Sequence, residues 1–154
     1  MESKPRAALV LHLLASSVAS GAGAADRISG PVEAEILRVI DGDTILVSAK
    51  PWPQQSVEVY VRLRGIDTPE LRSRCPAHRE AARSARDLLT SLASNGIRIA
   101  LSDIEGDKFF GRVVADVHLA DGTNPAHHLL EAGLGVTYDG DRKASTTCLV
   151  SLEH

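Results

Sequence analysis

The strongest constraint on the fold is a change of hydrophobic period near the middle of the chain. Residues 32–40 and 45–49 are rich in β-branched and aliphatic side chains on either side of Asp41-Gly42-Asp43, a hairpin signal. Pro51 and Pro53 mark a loop over residues 50–55. Val57, Val59, Val61 and Leu63 then alternate with Glu58, Tyr60, Arg62 and Arg64, the pattern of a strand with one buried face, so Arg62 points away from the aliphatic side. From Pro76 to about Asn95 the period turns helical, with Ala81, Ala85, Leu88, Leu89 and Leu92 on one face and Asn95-Gly96 closing the segment. Residues 97–102 and 113–119 read as two more strands. Asn124-Pro125 opens a short helix through Leu129, Leu130 and Ala132 to Gly133.

This order of elements predicts an α+β, mainly β domain: a five-stranded Greek-key barrel of the OB-fold type with two packed helices. A small open sheet with both helices on one face is the alternative. At 154 residues the chain has room for one domain with a real core and not for two ordinary ones. Aromatic residues make up only 3% of it, so the core is aliphatic and any single-strand stacking platform is sparse, which counts against a dedicated nucleic-acid-binding module.

The first residues place Lys4 and Arg6 ahead of an apolar run at 7–19, followed by small residues at Ala22-Gly23-Ala24. That arrangement predicts a cleavable secretory signal over residues 1–24 and a secreted or periplasmic bacterial protein. The run is shorter than the roughly 20 residues of a spanning helix, so no stable membrane association is expected after cleavage. Residues 25–31 read as a linker, 32–138 as the domain and 139–154 as an irregular tail. Without residues 1–24, which hold Lys4, Arg6 and Glu2, the 17 basic and 20 acidic residues fall to 15 and 19, a net charge of −4. A nonspecific polyanion binder usually carries a positive surface, so global charge gives nucleic-acid binding no support. Locally the balance reverses, with seven arginines against three acids between Arg62 and Arg86. Cys75 and Cys148 are an even count in an oxidising compartment and invite a disulfide, with two unpaired thiols as the alternative.

Two acidic motifs carry the chemistry, Asp41-Gly42-Asp43-Thr44 and Asp67-Thr68-Pro69-Glu70, with Arg62 between them and Phe110-Gly111-Arg112 further on. Carboxylates for a hard divalent cation, another to take a proton from water, and two guanidinium groups are the parts needed to attack a phosphate diester. Singly, each motif has a plainer explanation: Asp-Gly is a favoured hairpin turn, Asp-Thr-Pro-Glu a turn or helix entry, and a lone arginine a surface charge. His127-His128 point in different directions from one helix, and His78 and His118 have no partner at ligand spacing.

The ordered set Asp41-Gly42-Asp43-Thr44, Arg62, Asp67-Thr68-Pro69-Glu70, Asp107-Lys108 and Gly111-Arg112 resembles the staphylococcal nuclease family, over about residues 32–138. The resemblance implies an OB-fold barrel and Ca²⁺-dependent cleavage of DNA and RNA to 3′-phosphate ends. It implies Asp43 and Asp67 as carboxylate ligands, Thr68 as a carbonyl ligand, Glu70 as the base, Arg62 and Arg112 as phosphate-binding arginines, and Lys108 and Tyr138 as substrate contacts. Where the family commonly has one tyrosine before Gly-Arg, this chain has Phe109-Phe110, which adds a residue and removes a hydroxyl. The expectation is therefore a monomeric nuclease, with a non-catalytic OB-fold module for single strands or another ligand as the alternative.

Overall fold

The computed structural model describes residues 26–93, 97–140 and 148. The leader expected at 1–24, the helix-closing Asn95-Gly96, and the tail beyond residue 140 other than Cys148 lie outside the described residues. The strands are β1 (Arg27–Ile28), β2 (Val32–Val39), β3 (Thr44–Trp52), β4 (Gln55–Leu63) and β5 (Ile66–Asp67). Helix α1 (Pro76–Leu92) follows, then β6 (Arg98–Gly106), β7 (Arg112–His118), α2 (Pro125–Glu131) and β8 (Val136–Thr137).

β2, β3 and β4 form an antiparallel meander; β4 then pairs in parallel with β7, β7 antiparallel with β6, and β6 returns to β2. The sheet closes into a five-stranded Greek-key barrel with two helices, the expected OB fold. Alternation along each strand fills the barrel with aliphatic side chains: Ile36, Ile45, Val47, Val61, Leu63 and Leu101 are at most 2% exposed. Each such residue contributes on the order of 2 kcal/mol by leaving water. Ala85 and Leu89 of α1 and Leu129 of α2 join the same core.

Several elements differ from the sequence reading for local reasons. β3 runs through Pro51 to Trp52 because the register slips between Ala49 and Trp52, a bulge that spares Pro51 a ladder hydrogen bond. The hairpin turns instead at Gln54, whose φ is 63°. β6 continues past Ser102 by a second irregularity, with Asp103 at φ 49°. Arg27–Ile28, read as linker, adds a short edge strand to β6. Ala85 and Leu89 are buried on α1 as expected, while Ala82 is buried in place of Ala81, which is only half-buried. Asn124 caps α2 as expected, its side-chain oxygen accepting from Ala126 N–H at 2.9 Å.

The disulfide between Cys75 and Cys148 is present, with Cα atoms 5.7 Å apart. Cys75 is the N-cap residue of α1 and is buried. Among the described residues no helix is long and apolar enough to cross a membrane.

Candidate active site

The turn between β2 and β3 sets the first carboxylate. Asp43 N–H donates to Asp41 Oδ1 at 3.1 Å, an Asx turn that folds residues 41–43 tightly, and Ile40 N–H closes it on Thr44 O at 2.9 Å. Gly42 is required by space and not by conformation: a Cβ there would fall 2.6 Å from Ala85 Cβ and 2.7 Å from Thr68 Oγ1. The turn is thus pressed between α1 and the second acidic motif. That contact buries Asp43 to 4% exposure.

Asp43 accepts from Thr44 Oγ1 at 2.9 Å, from Thr68 N–H at 3.1 Å and from Arg62 Nη1 at 3.0 Å. Arg62 leaves β4 on the outer face, as its place in the alternation predicts, and its Nη2 reaches Asp67 Oδ1 at 2.7 Å. One guanidinium therefore bridges the carboxylates of both motifs. Burial pushes the Asp43 carboxyl up from 3.8 to about 6; Arg62 pulls it down, Asp41 pushes it further up, and the hydrogen bonds from Thr68 and Thr44 lower it. The ion pair does not offset the desolvation of this carboxylate. For Arg62, burial opposes the charge, but Asp43 and Asp67 outweigh it and hold the guanidinium above its usual range, so it stays protonated.

The second motif is positioned by a pairing that spans the chain. β5 pairs antiparallel with β8, Ile66 opposite Thr137 and Asp67 opposite Val136. Gly135 allows this approach, since a Cβ there would meet Ile66 Cδ1 at 2.6 Å. Tyr138 N–H then donates to Gly65 O at 3.0 Å, and the Arg62 guanidinium lies 5.5 Å from the Tyr138 ring centroid. Glu70 follows Thr68-Pro69 on an exposed loop whose backbone turns back by Ser73 N–H to Glu70 O at 3.0 Å.

Arg112 opens β7 beside β4. Its Nε donates to the Asp107 carboxylate, and its guanidinium lies 4.6 Å from the Phe109 ring centroid. Lys108 N–H donates to the same Asp107 side chain at 2.6 Å, and Lys108 Nζ lies 5.4 Å from the Phe109 ring. Phe110, next in the same turn, is fully exposed.

Asp43, Arg62, Thr68, Glu70, Arg112 and Tyr138 line one cleft of about 1010 Å³, together with Lys108. Asp67 lines an adjoining depression on the other side of the Thr68-Pro69-Glu70 segment. The cysteines stand apart from the cleft. Arg64 also lines the cleft, but its guanidinium is held by Glu105 at 3.0 Å and by the carbonyls of Asp103 and Val114. Asp41, Asp107 and Phe109 border the cleft without having been given roles from sequence. Asp107 was visible beside Lys108, but its grip on Arg112 depends on the fold of the turn. Nothing in sequence marks Phe109 over Phe110 as the ring that meets Arg112.

The oxygen chemistry fits a hard cation. Two carboxylates already converge on one positive charge, and the desolvation of Asp43 is only partly balanced by it. Among the described residues no three His, Cys, Asp or Glu side chains group closely enough to hold an ion by themselves. Since Ca²⁺ takes six to eight oxygens, an ion held by Asp43, Asp67 and the Thr68 carbonyl would complete its shell from water and substrate.

Comparison with known proteins agrees with this geometry. An endonuclease of Escherichia coli described as uncharacterized is 28% identical over 108 residues, covering 70% of this chain and 62% of its own length. A counterpart from Escherichia coli O157:H7, described in the same words, matches to the same extent. The chain thus spans a little under two thirds of those relatives. The family described as staphylococcal nuclease homologue matches residues 60–154, well over half of the chain. By that match, with its closed barrel and the cleft on its outer face, the chain belongs to the staphylococcal nuclease family.

Proposed function

We propose that the chain is an exported, calcium-dependent nuclease that hydrolyses phosphodiester bonds of DNA and RNA to 3′-phosphate products. The observation that carries this reading is Arg62 bridging Asp43 and Asp67 in a cleft also lined by Glu70 and Arg112. A binding module needs no carboxylate buried at the cost that Asp43 carries. The endonuclease names of the Escherichia coli relatives support the same reaction class, and the disulfide is compatible with export.

In this reading Asp43, Asp67 and the Thr68 carbonyl hold Ca²⁺, which when bound neutralises charge between substrate and carboxylates and polarises the phosphate. Glu70 is exposed to water at the cleft and takes the proton of the attacking water. Arg62 and Arg112 are fixed in orientation by their acidic partners and donate to phosphoryl oxygens, on which charge grows during in-line attack. Lys108 adds positive charge at the rim, and the Tyr138 ring, over Arg62, offers a face to a base.

The test is digestion of single-stranded DNA by the mature, oxidised protein with Ca²⁺ or EGTA, alongside Glu70→Gln and Arg62→Ala. Calcium-dependent cutting should fall by about two to four orders of magnitude in Glu70→Gln, the usual contribution of a positioned base. Arg62→Ala should lose at least as much, because it removes both a donor to the phosphoryl oxygens and the positive charge that bridges Asp43 and Asp67. Retention of full activity by either variant would refute the assigned roles. End-group analysis checks for 3′-phosphates.

A further inference from the structure

Strand register assembles a row of side chains that runs away from the cleft across the outside of the barrel. Arg38 of β2 is opposite Leu46 of β3, Leu46 is opposite Tyr60 of β4, and Tyr60 is opposite Arg112 of β7. Directly opposed residues share a face of the sheet. The neighbours Val47 and Val61 are buried in the core and Val113 packs against it, so this row faces outward. At ~4.8 Å between strands it spans about 14 Å. Tyr60 is 41% exposed, Arg38 is exposed, and Arg38 has no ion-pair partner among the described residues. The next outward row, Glu35, Ser48 and Glu58, is acidic and lies alongside.

We propose that this row is a binding track for a single-stranded segment of nucleic acid leaving the cleft. Tyr60 and Leu46 give a base an apolar surface, and Arg38 and Arg112 meet phosphates at the two ends. The nuclease reading supplies the identity of the ligand; the placement rests on register and exposure. A duplex keeps its bases stacked within itself and offers no free face to Tyr60, whereas a single strand does. The carboxylates of Glu35 and Glu58 repel phosphate and confine the strand to the row. In a chain with so few aromatics, one exposed tyrosine opposite a phosphate-binding arginine is a specific arrangement.

The experiment is fluorescence anisotropy of the full-length protein with a labelled oligodeoxythymidine of about 12 nucleotides, a length within the usual single-strand site sizes. It is run in EGTA over a range of salt, with a duplex of equal length as comparison. The wild type should prefer the single strand, and Tyr60→Ala should weaken single-strand binding by about tenfold while Tyr60→Phe restores it. Arg38→Ala should lower the slope of log K against log salt by about 0.7, the share of one phosphate contact on a single strand. Absence of wild-type binding, equal preference for the duplex, or unaltered affinity and slope in the variants would each overturn the track. Cutting assays in Ca²⁺ separate the two readings. Track-dependent binding without any cutting leaves the row and removes the nuclease, whereas undiminished cutting of the oligomer by the Tyr60→Ala, Arg38→Ala double variant does the reverse.

Discussion

Asp43 holds its place at a cost in stability. Its folded carboxyl titrates near 6 against 3.8 when free, chiefly because burial removes water from it. A shift of that size corresponds to about 3 kcal/mol lost at neutral pH in the metal-free protein. The sign follows from proton counts: between those two values the folded state binds more protons than the unfolded chain, so stability rises as pH falls through the window. Metal-free wild type should therefore gain about 1 kcal/mol on going from pH 7 to pH 5, relative to an Asp43→Asn variant that has nothing to titrate there. Urea melts of both proteins in EGTA measure the difference; a wild type that loses stability relative to the variant over this range would contradict the assignment. Calcium should oppose the trend. A cation on Asp43 competes with the proton, so the rise in Tm caused by Ca²⁺ should shrink as pH drops below about 6 and be small in Asp43→Asn.

At the level of elements, the site depends on two close approaches that only glycine permits. Gly42 lets the β2–β3 turn rest on Ala85 of α1 and on Thr68, the contact that aligns Asp43 with the Asp67-Thr68 motif. Gly42→Ala forces a methyl into that gap and should destabilise by about 2 kcal/mol through overpacking. It should also cut activity well below what the stability loss explains, as measured at a temperature where the variant remains folded. The barrel strands and both helices were legible because alternation and helical period are repeated over many residues, as in Val57, Val59, Val61 and Leu63. β1, β5 and β8 are two residues each and leave no period to read. For α1, adjacent alanines at 81 and 82 make the buried face ambiguous by one position. Within the site, residue types and order pointed to Asp43, Arg62, Asp67, Glu70 and Arg112. That Arg62 clamps the two carboxylates, that Phe109 underlies Arg112 and that Tyr60 stands opposite Arg112 all depend on register and turn geometry, which sequence spacing does not contain.

Over the whole molecule, the disulfide and the barrel divide the work of holding the cleft. The bridge joins positions 73 residues apart and so closes most of the described domain. In the chain-entropy view it contributes about 4 kcal/mol by restricting the unfolded chain. Yet the loop between Glu70 and α1 has local ties of its own: Ser73 N–H to Glu70 O, Cys75 N–H to Ser73 Oγ at 3.2 Å, and Arg79 Nη1 to Ser73 O at 2.9 Å. The Asp67-Thr68 segment is further fixed by β8 and by Asp43, neither of which needs the bridge. A Cys75→Ser, Cys148→Ser variant should therefore lose on the order of 15 °C in Tm while keeping kcat within a few-fold of wild type at low temperature. Melting curves and single-strand digestion on the same preparation make the comparison. A kcat that collapses while the barrel remains folded would mean that the bridge, and not the loop's own hydrogen bonds, places Glu70 at the cleft.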